Sequence, residues 1–316
     1  MTTETAQPPT LAIPYGCDTL APLRSVLLHT PGPELELITA ANHRRWLFDA
    51  VPDCTLFRQE HLRYRELLEQ HGVHVYELAT LVSENAALMG MLPNLTYLHD
   101  CAVISKHGAL LSKMAFDGRR NEERVVREAL TTLGIPILHE FLHDEDAFEG
   151  CLLLSPQTLM VCDTERHSPL SIVRFVEAMS KFFEEILYVA VPKSRRFMHP
   201  DTVFNRISDR LALYYPGAIE MCVRFRGMWC EKTDFHEYMR SRGIELLAVS
   251  DAEQQRLACS FVPLRPNTIV HYDTALDTST RRELDQRGVE LVLFHPEALV
   301  AGGGSLRCLT LRLHRA

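Results

Sequence analysis

One structural unit recurs five times along this chain of 316 residues, and the repetition constrains the fold more than any other feature. Each unit is an amphipathic stretch, usually closed by a glycine, followed by a short apolar run. Apolar residues at helical spacing predict a helix, the glycine suits a helix C-cap, and the leucine-rich or β-branched run predicts a strand. The five units occupy residues 60–78, 121–140, 171–191, 234–249 and 279–294.

Paired apolar runs separated by turn residues lie between these units and predict β-hairpins. They are AVISKHGALLSKM, CLLLSPQTLMVCD, VFNRISDRLALYY and FVPLRPNTIVHYD. A module of hairpin, helix and strand cannot bury its apolar face alone, so the repetition predicts modules arranged radially in an α/β fold. A doubly wound sheet is the alternative, but the hairpins fit it poorly because helices join its parallel strands.

Length and composition predict a globular protein with one large domain or two ordinary ones. Hydrophobic residues make up 46% of the chain, enough for a full core, and no low-complexity linker divides it. We expect residues 1–14 to form a flexible tail and residues 15–316 to form a single domain. The tail has neither the basic start nor the apolar core of an export signal.

Net charge and cysteine content restrict the kinds of molecule that this chain is expected to bind and the compartment in which we expect it. The formal net charge of −8, without any run of basic residues, argues against a nucleic acid or an anionic membrane. Nine cysteines in a chain without an export signal indicate reduced thiols. We therefore expect a cytoplasmic protein that acts on a small molecule, and a homodimer is compatible with the sequence.

The stretch AGGGSLRC near the C-terminus carries the strongest candidate nucleophile. Gly302, Gly303 and Gly304 allow the backbone to approach a ligand closely, and they lead into the alternating segment LRCLTLRL. A thiol placed there, Cys308, could attack a bound substrate. The alternative is a buried structural cysteine behind a flexible turn.

Carboxylates and a histidine at the ends of predicted strands are the next candidates. Radial modules bring loops from distant parts of the chain together, so one or two site residues are expected from each module. Asp100 precedes the strand AVIS, and Glu149 opens the strand CLLL. His199 and Asp201 are two residues apart in a segment expected to be extended, which would point both side chains to one face. Asp100, His199 and Asp201 could instead be ordinary turn residues, and Glu149 a solvated carboxylate at a strand edge.

Two arginines stand in the turns before predicted helices. Arg119 precedes NEERVV and Arg166 precedes SIVRFV. Planar guanidinium groups are suited to holding a substrate carboxylate, although exposed surface charges are the common alternative.

The sequence HEFLH matches the HExxH pattern of zinc proteases but is not expected to bind metal. His139 and His143 would have to share one face of a helix, whereas the segment follows the strand IPIL and enters an acidic loop. Four extended residues span roughly 13 Å, too far for two ligands that must each lie about 2 Å from zinc. We expect no metal site.

Taken in order, these motifs resemble the arginine deiminase branch of the guanidino-group-modifying enzymes, whose superfamily also contains dimethylarginine hydrolases and amidinotransferases. The resemblance covers nearly the whole chain and rests on the order and spacing of several motifs. They are LRSVLLHTPGPELELIT, LFDAVPD, PNLTYLHD, FEG, MHPDTVF and GGGSLRC. The resemblance implies a pentein-type fold, a five-bladed α/β propeller of ββαβ-like modules, which agrees with the five repeated units.

The resemblance also implies a role for each matching residue. Cys308 would be the nucleophile and His199 the general acid and base, with Glu149 paired to the histidine. Asp100 and Asp201 would hold the guanidinium nitrogens of the substrate. The implied substrate-binding positions are Asn94, Arg119, Arg166, Gly303 and Gly304.

The chain departs from the family pattern at four places. Residues 97–101 read YLHDC where the family has Phe-Thr-Arg-Asp-Pro, and residues 149–152 read EGCL where it has Glu-Gly-Gly-Asp. Ala301 precedes the glycine run where an arginine is common. The chain also passes from LATLV to MLPNL in a few residues, without the helical insertion of bacterial arginine deiminases.

The implied reaction is hydrolysis of a guanidino substrate such as arginine or an arginine derivative. Attack by Cys308 would give a covalent S-amidino intermediate, then a ureido product and ammonia, with no cofactor. An amidinotransferase would use the same residues and pass the amidino group to an amine. A catalytically silent protein with a binding or regulatory role is the remaining alternative.

Overall fold

The computed structural model describes residues 11–143, 145–227 and 229–316. The first ten residues of the expected tail lie outside this range. Within the rest of it, the backbone amides of Leu11 and Ile13 donate hydrogen bonds to the carbonyls of Thr132 and Leu133. In the part of the chain that the structure describes, no helix is both long and apolar enough to cross a membrane.

The fold is a mixture of α-helices and β-strands that alternate along the chain. The helices are α1 Cys54–Gln70, α2 Ala86–Met89, α3 Glu122–Thr132, α4 Pro169–Met179, α5 Phe235–Ser241, α6 Asp251–Gln255 and α7 Thr278–Gln286. The strands are β1 Leu23–Leu28, β2 His74–Glu77, β3 Ala102–Ser105, β4 Gly108–Leu111, β5 Ile137–Glu140, β6 Leu152–Ser155, β7 Thr158–Asp163, β8 Glu185–Ala190, β9 Phe204–Arg206, β10 Leu211–Tyr214, β11 Met221–Arg226, β12 Trp229–Lys232, β13 Glu245–Ala248, β14 Val262–Arg265, β15 Thr268–Tyr272, β16 Glu290–Phe294 and β17 Leu311–Arg315.

These strands form five small sheets among the described residues, and each contains the same module. In the modules β3–β4–β5, β6–β7–β8, β9–β10–β13 and β14–β15–β16, the first two strands are antiparallel and the third runs parallel to the second. A helix precedes the third strand every time, as expected for a parallel connection. The four hairpins and five helix–strand units predicted from the sequence are therefore present.

The two ends of the chain build the remaining module. β17 pairs antiparallel with β1, and β1 pairs parallel with β2 after the crossover through α1. The hairpin β11–β12 is an addition to the pattern, because β11 pairs with β8 and widens that sheet to five strands.

The local structure differs from the sequence pattern at two places in the site, and at the second place the expectation of an extended segment was wrong. The segment LRCLTLRL is not one strand: β17 begins at Leu311, and Cys308 lies in a turn before it. The segment after His199 is not extended either, because Pro200–Thr202 forms a 3-10 turn. Proline at its start favours a turn, and the hydroxyl of Thr202 donates a hydrogen bond to the carbonyl of His199 at 2.7 Å.

The HEFLH segment lies partly in a strand, as expected. His139 and Glu140 belong to β5, which pairs with β4, and Phe141 to His143 leave the sheet without forming a helix. The geometry that a zinc protease needs is therefore absent from this segment.

Candidate active site

Loops from distant parts of the chain meet around a small, partly open cavity of about 30 Å³. Asp100, Arg119, Arg166, His199 and Cys308 line it together. Asp100 and Arg119 flank the hairpin β3–β4 of one module, whereas Arg166, His199 and Cys308 come from three others, so loops from four modules meet at this cavity. The other lining residues are Leu47, Asn94, Tyr97, Arg195, Met198, Gly302, Gly303 and Gly304.

Cys308 is held in a helical turn that Ser305 organises. The hydroxyl of Ser305 accepts hydrogen bonds from the backbone amides of Arg307 at 3.2 Å and Cys308 at 3.4 Å, and it lies 3.4 Å from the sulfur of Cys308. The carbonyl of Cys308 accepts a hydrogen bond from the amide of His99 at 3.0 Å. These contacts fix the thiol at the wall of the cavity.

The Cys308 side chain is protonated in the free protein at neutral pH. Burial, together with the nearby carboxylates of Asp100 and Asp201, raises the pKa of the thiol to about 12. Each of these effects penalises a thiolate. A cation bound between the same carboxylates would act in the opposite direction and favour ionisation.

His199 lies between two carboxylates. Its Nε2 is 2.8 Å from Oε2 of Glu149, and its Nδ1 is 3.3 Å from Oδ1 of Asp100. Burial alone would lower the pKa of the imidazole, but the carboxylates of Asp100 and Glu149 outweigh it and raise the pKa above its usual value. The histidine is therefore arranged to carry a proton.

Glu149 is oriented by contacts on both of its oxygens. Oε1 accepts a hydrogen bond from the amide of Ala115 at 2.8 Å, and Oε2 also accepts one from Nη1 of Arg166 at 3.2 Å. Burial would raise the pKa of this carboxyl, but Arg166 and His199 hold it well below its usual range. Glu149 is thus a buried, ionised partner for the histidine.

The start of α4 brings Arg166 to Glu149. Ser168 caps this helix by accepting a hydrogen bond from the amide of Ser171 at 3.1 Å, and its own amide donates to the carbonyl of Ala147 at 2.9 Å. This pairing ties the turn before the helix to the loop that carries Glu149. The guanidinium of Arg166 also stacks over the ring of Phe116, with 4.5 Å between them.

Arg119 is bound to Asp100 instead of projecting freely into the cavity. Its Nη1 lies 2.5 Å from Oδ2 of Asp100, and its Nη2 donates to Glu122 at 2.8 Å and to the carbonyl of Tyr97 at 3.1 Å. Burial raises the pKa of Glu122 to about 7 even though Arg119 opposes the change. Both arginines expected to hold substrate thus already contact a carboxylate of the candidate site.

Asp201 and Glu149 support the cavity without belonging to its wall, as far as the described residues show. Oδ2 of Asp201 accepts a hydrogen bond from the hydroxyl of Ser260 at 3.2 Å and lies 3.2 Å from Nε of Arg307. Asn94 does line the cavity, and its side-chain amide donates to the carbonyl of Trp46 at 2.6 Å.

Sequence reasoning missed several lining residues. Tyr97 packs against the glycine run so closely that a Cβ on Gly304 would lie 2.4 Å from its ring, so the glycines are needed for this contact. Arg195 donates to the carbonyl of Leu47 at 2.6 Å and pairs with Asp49 at 3.0 Å. Its position four residues before His199, in the same loop, was the available signal.

A second and larger cavity of about 470 Å³ adjoins the first. Arg195, Met198, Gly303 and Gly304 line both cavities. The outer cavity could hold the part of a substrate that lies beyond its reacting group.

A family model described as arginine deiminase matches residues 82–315. The arginine deiminase of Mycoplasma capricolum subsp. capricolum is 22% identical over 386 residues, and the match covers 93% of this chain and 95% of that protein.

Solved structures share the fold. Unliganded AgrE superposes with a TM-score of 0.71 at 18% identity, covering 91% of this chain. This chain spans only 39% of the AgrE chain. The N-terminal domain of ArgZ, determined with a covalently bound reaction intermediate, superposes with a TM-score of 0.67 at 15% identity and covers 91% of this chain and 97% of that one.

Proposed function

Because this chain belongs to the arginine deiminase family, we propose that it is a cysteine-dependent amidinohydrolase that converts a guanidino compound into a ureido product and ammonia. Arginine or an arginine derivative is the proposed substrate class. The observation that carries the proposal is the meeting of Cys308, His199 and Asp100 around one small cavity, with Glu149 hydrogen-bonded to the histidine.

Binding of the substrate cation is the first step. Its guanidinium group carries a positive charge, which the carboxylates of Asp100 and Asp201 attract. Asn94, Arg119, Arg166 and the backbone of Gly303 and Gly304 contact the rest of the substrate. Asp100 and Asp201 each lie beside an internal arginine, so the substrate shares these carboxylates with Arg119 and Arg307.

Covalent attack follows once the cation is bound. The substrate lowers the pKa of Cys308, and the thiolate forms a bond to the central guanidinium carbon. His199 gives its proton to the departing nitrogen, which leaves as ammonia, and an S-amidino cysteine remains.

Hydrolysis then regenerates the enzyme. His199, now neutral, removes a proton from water as the oxygen bonds to the same carbon. The carbon–sulfur bond breaks, the thiol is restored, and the ureido product leaves. Glu149 keeps the imidazole oriented and stabilises its charged form in both steps.

The fold proposal is a closed, five-bladed α/β propeller. Five sheets with one shared ββαβ order support it, as does the meeting of loops from separate modules at one cavity. A homodimer of such domains remains part of the proposal.

A substrate panel tests the function. Free arginine, methylated and hydroxylated arginines, agmatine and small guanidino acids are each incubated with the protein, and both ammonia and ureido product are measured. We expect one ammonia and one ureido product per substrate consumed, and no release with the Cys308→Ala variant.

Three results would contradict this function. Two ammonia molecules per substrate without a ureido product would indicate a different hydrolysis, and a product that requires an added amine would indicate an amidinotransferase. Silence across the panel, with and without amines, would favour a binding role.

A further inference from the structure

A further small cavity shares no lining residue with the candidate active-site cavity among the described residues and is lined by three arginines. The cavity has a volume of about 20 Å³. Its arginines are Arg206 on β9, Arg307 in the turn before β17 and Arg312 on β17. Residues of β6 and of the segment from Cys17 to Leu20 complete its lining. A space of this size holds a single particle about as large as a water molecule.

The guanidinium groups around this cavity lack hydrogen-bond partners to an unusual degree. Nε of Arg206, Nη1 of Arg307 and Nε of Arg312 are buried and have no partner among the described residues, whereas Nε of Arg307 lies 3.2 Å from Oδ2 of Asp201. Arg307 is only 1% exposed. Buried donors without partners are costly, and such groups usually bind an ion or an ordered water.

The positive charges of the arginines around this cavity outnumber the carboxylates that pair with them. Arg315 adds a fourth cation: its Nη1 and Nη2 donate only to the neutral carbonyls of Ala21 and Pro263, and its Nε has no partner. The carboxylates that pair with these arginines are Asp201, beside Arg307, and Asp209, which binds Arg206 but is 77% exposed.

Asp18 of the same segment is a buried carboxylate whose Oδ2 accepts a hydrogen bond from the backbone amide of Lys106 at 2.6 Å, and two further groups nearby are neutral. Burial raises the pKa of the Cys17 thiol, so it is neutral beside Arg312 and Arg315. Burial and the neighbouring guanidinium groups lower the pKa of His99, so it is neutral as well. Burial and the positive charge of Arg312 also lower the pKa of Arg307, as expected when cations are confined together.

We propose that the cavity between Arg206, Arg307 and Arg312 is a binding site for one small inorganic anion of the size of chloride. The anion accepts hydrogen bonds from the unpartnered nitrogens and offsets buried positive charge that would otherwise destabilise the fold. The narrow space selects a monatomic anion over phosphate or sulfate. Arg307 contacts Asp201 and precedes Cys308 in the chain. The anion therefore changes the electrostatic potential at both residues.

Thermal unfolding in different salts tests the proposal on the full chain. Sodium chloride is exchanged for sodium gluconate at constant ionic strength, because gluconate is too large for the cavity. We expect chloride to raise the unfolding temperature in a saturable way, by on the order of a few degrees.

Two variants test whether the effect of chloride on the unfolding temperature arises at this cavity. Arg312→Met keeps the bulk of the side chain and removes one buried cation, so we expect it to lose most of the chloride response. Arg282→Met is the matched control, because Arg282 is exposed on α7, and it should respond as the wild type does.

A crystallographic measurement does not depend on whether a variant folds. Wild-type crystals grown without chloride and soaked in sodium bromide should show an anomalous peak between Arg206, Arg307 and Arg312. A cavity without that peak, or a chloride response that Arg312→Met retains in full, would overturn the proposal.

Discussion

At the scale of single residues, the site holds two groups whose pKa values are both raised, one neutral and one cationic when protonated. The pKa of Cys308 is raised to about 12, so the thiol is neutral, whereas the pKa of His199 is raised so that the imidazole keeps its proton. Asp100 contributes to both shifts because it adjoins both side chains. The free protein is therefore poorly reactive, and a bound cation supplies the charge that activates the nucleophile.

Two alkylating agents of nearly equal shape test this dependence. Chloroacetamidine is a cation and chloroacetamide is neutral, so the carboxylates around Cys308 should favour the first. We expect chloroacetamidine to alkylate Cys308 at least about tenfold faster at neutral pH, measured by mass spectrometry of the intact protein. The preference should shrink in Asp100→Asn, and equal rates for both reagents in the wild type would contradict the electrostatic argument.

Removal of the Glu149 charge tests whether this carboxylate raises the pKa of His199. Glu149→Gln lowers the pKa of His199, because the carboxylate that favours the imidazolium is lost. Since the proton donor is then lost at lower pH, the alkaline limb of the kcat profile should move to lower pH, and kcat should fall by about 10²-fold. Glu165→Gln is the matched control, because Glu165 also pairs with Arg166 but has no contact with His199 in the structure. An unchanged profile in Glu149→Gln would argue against this pairing.

At the scale of elements, short turns determine where the reactive groups lie. The 3-10 turn Leu299–Gly302 leads to Gly303, whose φ of +71° suits glycine, and the next turn presents Cys308. Tyr97 fills the space above these glycines, and its carbonyl accepts a hydrogen bond from Arg119. The glycine run, Tyr97 and Arg119 thus form one connected support for the cavity.

A methyl group added at Gly304 should displace the ring of Tyr97. In Gly304→Ala the new Cβ would lie 2.4 Å from the ring of Tyr97, so the ring must move. We expect kcat/KM to fall by about 10²-fold from misplaced groups, and the free energy of unfolding to fall by about 1–3 kcal/mol from overpacking.

Gly90→Ala provides the comparison for this substitution. Its Cβ would meet only the carbonyl of Ala87, at 3.7 Å, so activity should be unchanged and stability should stay within about 0.5 kcal/mol. A fully active Gly304→Ala would show that the contact with Tyr97 does not position the site.

The sequence predicted the elements better than the site they build. Hairpins and helix–strand units follow local periodicity, and all of them were found where expected. The turn at Cys308 depends on Ser305 and on a hydrogen bond from His99, more than 200 residues away, which no local pattern reveals. The pairing of Arg119 with Asp100 likewise depends on how two loops meet. Both residues were predicted to bind substrate, and the structure shows that they contact each other.

At the scale of the whole molecule, the last strand completes the first sheet. β17 pairs with β1, and Leu313 within it is fully buried in the cluster that packs against α3 and β3. Leu313→Ala should reduce the free energy of unfolding by about 2–5 kcal/mol, because it leaves a cavity. Leu142→Ala, at a side chain that is 70% exposed, should change it by less than about 0.5 kcal/mol. Similar denaturant midpoints for both variants would show that this closure contributes little to stability.

Covalent catalysis by Cys308 leaves an adduct on this residue, which acid-quenched mass spectrometry can detect. The protein is mixed with the guanidino compound that gives the highest turnover, quenched during steady state, digested and analysed. We expect the peptide containing Cys308 to carry the substrate's amidino carbon with its remaining side chain, less one ammonia, and this adduct to be absent in Cys308→Ala. Continued ureido product formation by Cys308→Ala, without any adduct on the wild-type peptide, would contradict the account.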